Sequence, residues 1–135
     1  MANFESLTIF FPAWNEEETI ERAVDAARGA ADDLVADGEI YWYEIVVIDA
    51  ASTDAPAGIA DKLAADDHRV RVVHHETNRK LGGSLRTGFA EARGELILYT
   101  DADLPFDMAE TRKAVRLLRI YDADIVSAFR FDRTG

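Results

Sequence analysis

Two carboxylates one residue apart, Asp101 and Asp103, stand directly after the run Leu96-Ile97-Leu98-Tyr99. That run follows Gly94 and reads as a short buried strand. In an open α/β sheet, ligands collect outside the carboxyl ends of the strands. Two acidic side chains at that rim, flanking Ala102, offer hard oxygen ligands to Mg²⁺ or Mn²⁺. Such ions complete their shells with substrate phosphate and water. The same residues also have an ordinary structural use, Asp101 opening a turn and Asp103 capping the next helix. Spacing leaves both readings open, so the surrounding elements must decide.

Those elements alternate. Leu7-Thr8-Ile9-Phe10-Phe11 reads as a first strand, stopped by Pro12, which has no N–H to give a sheet ladder. Glu16, Glu17 and Glu18 follow in the first turn of a helix, where the macrodipole favours acids, and its apolar face runs to about Ala36. Tyr43 to Asp49 is a second strand. Its unalternating Ile45-Val46-Val47-Ile48 suits a parallel strand buried on both faces. Ser52, Thr53 or Asp54 is positioned to cap a helix through about Ala65. Val70 to His74 is a third strand. A basic loop, Glu76 to Gly83, then leads into a helix from Ser84 to Ala92. After the Asp-Ala-Asp strand come a helix from about Met108 to Tyr121 and a fifth strand, Ala123 to Ser127. Strand and helix alternating with short links predict one α/β domain over 1–135, with a mostly parallel sheet covered by helices on both faces.

Composition narrows the function. The chain has 135 residues, 48% of them hydrophobic, enough for a real core. It has no cysteine, hence no disulfide framework and no thiolate chemistry. A net charge of −11 argues against a nucleic-acid partner. That excess of acid fits an ordinary acidic chain or one adapted to a salty cytoplasm, where screening relieves self-repulsion. No stretch reaches the length needed to span a bilayer, and residues 1–6 carry no signal-peptide pattern, so a cytoplasmic location is expected. Neither a Walker-type phosphate loop nor a Gly-x-Gly-x-x-Gly turn follows the first strand, which disfavours P-loop ATPases and dinucleotide oxidoreductases. His68, His74 and His75 show no metal-ligand spacing and receive no role.

Four motifs in order carry a resemblance. Phe11-Pro12-Ala13-Trp14-Asn15-Glu16-Glu17, Val47-Ile48-Asp49-Ala50-Ala51-Ser52-Thr53-Asp54, Gly82-Gly83-Ser84-Leu85-Arg86-Thr87-Gly88 and Thr100-Asp101-Ala102-Asp103-Leu104 resemble family 2 glycosyltransferases of the GT-A fold. The resemblance is nearest to the dolichyl- or polyprenyl-phosphate hexosyltransferases. It implies a nucleotide-diphosphate sugar donor, a UDP- or GDP-hexose, held with Mg²⁺ or Mn²⁺. By motif position Pro12, Trp14 and Glu16 would surround the base and ribose, together with Ile48 and Asp49. Trp14 replaces the usual Tyr. The family's second Asp, next to Asp49, is Ala50 here, which removes one acceptor for the base; Asp49 either acts in its place or caps the following turn. Asp101 and Asp103, with Ala102 between them, would match the metal-binding Asp-x-Asp. Arg130 matches an Arg on the donor phosphates, its guanidinium fork suited to a diphosphate. Arg79, Lys80 and Arg86 are weaker phosphate candidates.

The resemblance further implies inversion at the sugar C1 and a lipid-phosphate acceptor at a membrane surface, which arrives ionised and needs no general base. The chain corresponds to the donor-binding half of such enzymes, and self-association is left open. Two other readings stand beside this one: a nucleotidyltransferase, and a non-catalytic nucleotide-sugar-binding or structural module.

Overall fold

The computed structural model describes residues 4–13, 19–50, 56–77, 80–102 and 107–127. Four strands form one sheet: β1 (Ser6–Ala13), β2 (Trp42–Asp49), β3 (Val70–His74) and β4 (Leu96–Tyr99). Between and after them run α1 (Ile20–Ala36), α2 (Pro56–Asp66), α3 (Lys80–Glu91) and α4 (Thr111–Tyr121). The strand order is β3-β2-β1-β4, and every pairing is parallel. Parallel neighbours need crossover connections, and the helices supply them.

The central strands are buried on both faces, as their unbroken apolar sequences require. Leu7, Ile9 and Phe11 of β1 and Ile45 and Val47 of β2 face one side. They meet the α1 stripe Ile20, Val24, Ala27, Ala31 and Leu34, joined by Ala60 from α2 and Val115 from α4. Phe10, Val46 and Ile48 face the other side, against Leu85 of α3 and Tyr99 of β4. Helices therefore cover both faces, as the alternating sequence pattern predicts.

Gly88 sets how closely α3 can approach. A Cβ built there would run into the Phe10 ring. Phe10 also packs edge-on against Phe89 at 5.3 Å and tilted against Tyr99 at 5.6 Å. With neighbours on each side, the ring has nowhere to move.

Three elements differ from the sequence expectation. β1 does not stop at Pro12; it runs to Ala13, with Pro12 level with Ile48. The reason lies in the alternation of a parallel strand. The Phe10 carbonyl accepts from Thr100 N–H on the β4 side, and the Ala13 carbonyl accepts from Ala50 N–H on the β2 side. Pro12 thus turns its nitrogen toward β4, whose last paired residue, Tyr99, is already level with Phe10. No ladder bond is lost. Secondly, α3 begins at Lys80, so Gly82 and Gly83 are helical rather than loop. The buried Ser84 and Gly88, four residues apart, fix that helix on the sheet, and packing overrides weak glycine propensity. Thirdly, Ala123 to Ser127 forms no strand. α4 ends at Asp122 in the left-handed conformation, and Ile125 beyond it is 82% exposed and pairs with no strand among the described residues. The fourth helix also opens with a short 3₁₀ turn, Met108–Glu110, capped by the Asp107 side chain accepting from Ala109 N–H at 2.9 Å.

One buried charge locks β1, β2 and β3 to the end of α3. The Glu44 carboxylate accepts from the Thr8 hydroxyl at 2.7 Å, from Arg93 N–H at 2.8 Å and from the Arg71 guanidinium at 3.0 Å. Arg71 also reaches Glu91. Burial pushes the Glu44 carboxyl up, but the Thr8, Arg93 and Arg71 bonds outweigh it and hold the group below its ordinary value. Stability from Glu44 is therefore present above the ordinary carboxylate pKa and lost as pH falls through the depressed one. Glu44→Ala should cost about 3 kcal/mol, because it strands Arg71 and two donors. Urea unfolding at neutral and acid pH should show that loss shrinking on acidification. Gly88→Ala should lower stability by roughly 1–3 kcal/mol through overpacking on Phe10, read as a lower melting temperature.

Candidate functional site

All four strands point their carboxyl ends to one rim. Chain connectivity leaves β1 toward β2 on one side and returns to β4 on the other, so the order reverses between β1 and β4. Open α/β sheets bind ligands in the crevice above such a switch point. β1 outruns β4 there by Phe11, Pro12 and Ala13.

Asp101 lies at this crevice, just past β4 and exposed. Its neighbour Ala102 is buried and belongs to the main core. The small apolar side chain anchors the turn and leaves Asp101 facing outward. The Tyr99 hydroxyl donates to the Asp101 carboxylate at 2.8 Å. Tyr99 is itself braced by Phe10, so the packing under Gly88 extends to the rim.

Asp49 ends β2 and is almost fully buried. It pairs in register with His74, the last residue of β3. His74 Nδ1 lies 2.9 Å from Asp49 Oδ2, and its Nε2 lies 2.8 Å from Asp61 Oδ1 on α2. An ionised carboxylate only accepts, so bridging both carboxylates in that form takes a donor at each ring nitrogen, the pattern of an imidazolium. The bonds to Asp49 and Asp61 push its pKa above the ordinary histidine value, against a smaller opposing effect of burial. Sequence spacing gives His74 no metal-ligand role, and its contacts here, among the described residues, are to two carboxylates rather than part of a metal cluster. The signal was present in the two strands predicted to end at Asp49 and His74. Asp61, one position from the buried Ala60, had no signal of its own.

Of the sequence-predicted site residues, Pro12, Asp49 and Asp101 stand on the rim. Ile48 and Ala102 flank it with buried side chains. Trp14, Glu16, Asp103, Arg130 and Arg79 lie outside the described residues. Arg86 is exposed on α3, and Lys80 opens that helix. Among the described residues no three acidic or histidine side chains cluster to hold a metal. A cavity of about 290 Å³ lies at the opposite rim, lined in part by Trp42, Glu44, Arg69, Arg71 and Arg93. Two of its cations are already engaged: Arg71 binds Glu44 and Glu91, and Arg69 stacks over Tyr43 at 4.5 Å. It also lies at the amino ends of the strands, away from the switch point.

Residues 8–135 match the family model described as glycosyl transferase family 2. The chain belongs to this family. It is 35% identical over 132 residues to glycosyltransferase AglD of Haloferax volcanii, covering 96% of this chain and 20% of that protein. It is 32% identical over 101 residues to human dolichyl-phosphate beta-glucosyltransferase, covering 73% of this chain and 31% of that one. Its fold is similar to that of a mannosyltransferase from Pyrobaculum calidifontis in complex with GDP-Man and Mn²⁺. The TM-score there is 0.68 at 28% identity, over 83% of this chain and 32% of the other. The chain thus spans a fifth to a third of the length of these relatives.

His74 gives the fold a pH response of definite sign. A group whose pKa is raised by folding contributes stability that is complete below its unfolded value and lost as pH rises through the folded one. Stability of this chain should therefore decline from near neutral pH upward, and His74→Gln should flatten that decline. Denaturant unfolding at a series of pH values measures both.

Proposed function

We propose that this family 2 domain binds a nucleotide-diphosphate hexose in the crevice above β1 and β4. By this reading it serves the transfer of the hexose, glucose or mannose, with inversion to a dolichyl or polyprenyl phosphate at a membrane surface. The observation that carries the proposal is the placement of Asp101, an outward carboxylate held at the topological switch point by the buried Ala102 behind it. The GDP-Man and Mn²⁺ held by the Pyrobaculum relative support the donor class, and the name of the human relative supports the acceptor class.

The donor set fits Mg²⁺ or Mn²⁺. Asp101 is an exposed hard oxygen ligand at the rim, and Asp103, two residues on, supplies the same chemistry. Bound there, the ion would neutralise charge on the departing diphosphate. The chain's own contribution is orientation and charge. Tyr99 steers the Asp101 carboxylate, the β1 overhang walls one side of the crevice, and Arg130 is proposed to grip the diphosphate through its guanidinium fork. Asp49, at the end of β2, is proposed to meet the base, with Trp14 and Glu16 nearby. A phosphate acceptor needs no base from this chain. Among the described residues no helix is long and apolar enough to cross a membrane.

Thermal unfolding with UDP-glucose or GDP-mannose tests donor binding directly. One of them should stabilise the chain in the presence of Mn²⁺, by about 2.7 kcal/mol when ligand is a hundredfold above its Kd. In the Asp101→Ala, Asp103→Ala double variant that Mn²⁺-dependent stabilisation should vanish. In a transfer assay the same variant should lose at least roughly a hundredfold in rate, about 2.7 kcal/mol, with nucleoside diphosphate rather than pyrophosphate as the product. Full transfer by the double variant would exclude the mechanism.

A further inference from the structure

We propose that His74 is a positioning residue of the donor site: as an imidazolium bridging Asp49 and Asp61 it neutralises and orients Asp49, so donor affinity falls when the ring loses its proton. The inference rests on the reading that Asp49 meets the donor.

The geometry is over-determined. Asp49 and His74 are ladder partners at the ends of adjacent strands. The next amide, His75 N–H, donates to the Asp49 carbonyl at 2.8 Å, so the two backbones are fixed against each other. The Asp49 side chain is only 7% exposed. A carboxylate so placed needs a donor and a countercharge, and the His74 ring supplies both. Asp61 is 58% exposed and grips the far nitrogen, so the ring is tethered from α2 as well as from β2. Asp49 and Asp61 are the charged groups acting on the ring among the described residues.

Loss of the proton changes the site in two ways. A neutral imidazole keeps one N–H. That hydrogen stays with the buried Asp49, because the exposed Asp61 can turn to water. The ring thereby loses its outer tether. The rim that must accept a diphosphate also becomes one unit more negative, whatever else Asp49 touches. At a separation of several ångströms near a wet surface, such a change is worth roughly a three- to tenfold loss in affinity. Nucleotide sugars are diphosphate diesters, so the ligand's phosphates have no proton of their own to lose near neutral pH.

The experiment measures Kd for UDP-glucose and GDP-mannose with Mn²⁺ by calorimetry between about pH 6 and pH 8.5, with the His74 ring followed by NMR. In the unaltered chain, affinity should fall with rising pH at the midpoint where the His74 resonance titrates. His74→Gln should bind more weakly at low pH and show no slope. Asp61→Asn, a surface change that leaves Asp49 untouched, should move both midpoints to lower pH together. Asp49→Asn should weaken binding at every pH. If Asp49→Asn weakens binding but His74→Gln keeps the slope of the unaltered chain, or the two midpoints disagree, the His74 inference is overturned and the donor reading stands. If Asp49→Asn binds as the unaltered chain does, or the folded chain binds neither nucleotide sugar, both fall together.

Discussion

The β1–β2 ladder is the constraint from which the rest of the molecule follows. Eight consecutive pairs run from Ser6 with Trp42 to Ala13 with Asp49. Both strands are buried on both faces, so a slip of one residue would exchange every core contact on one face for those of the other. The slip would also carry Thr8 away from Glu44 and leave a buried carboxylate short of a donor. The hydrophobic pattern and one polar contact thus specify the same register. Because all strands are parallel, fixing that register also fixes which residues arrive together at the carboxyl rim.

The two ends of the sheet use charge differently. At the amino end, Glu44 is enclosed by Thr8, Arg93 and Arg71, a closed set whose bonds are all internal. At the carboxyl end, Asp49 shares a bridging ring with an exposed carboxylate, and Asp101 faces solvent beside a tyrosine hydroxyl. The first arrangement ties elements together. The second leaves acidic groups oriented at a crevice, where an approaching ligand or ion can use them. This difference in arrangement, rather than the presence of a cavity, separates the carboxyl rim from the amino one.

Much of this was legible in the sequence because burial on both faces leaves an unbroken apolar run. Ile45 to Ile48 announces a strand buried on both faces, and the α1 stripe announces its helix; Leu96 to Tyr99 also forms its strand, but at the edge of the described sheet none of its four residues is buried, which corrects the reading of a buried strand. The failures share one cause, which is that a residue's partner lies elsewhere in the chain. Pro12 stays in β1 because its neighbour on that side has already ended, a fact of register and not of proline. Ile125 sits in an apolar segment, but it follows the left-handed Asp122 that ends α4 and is left exposed. His74 has no meaning in its own window; it gains one from Asp49 across the ladder and Asp61 on a helix. The family motifs did locate the rim. Trp14, Glu16, Asp103 and Arg130 lie outside the described residues, so their roles rest on the motifs alone.

β4 bounds the described sheet with four residues, one of them the half-exposed Ile97. Its outer backbone groups face no strand among the described residues, and such a border is a template for a strand from another molecule. Copies of this chain carry a net charge of −11 and repel one another. That repulsion reaches about 10 Å at 0.1 M ionic strength and about 3 Å at 1 M. Salt therefore acts on the molecule in two opposed senses. It eases the crowding of like charge within one copy, and it removes the electrostatic fence that keeps the borders of two copies from zipping together.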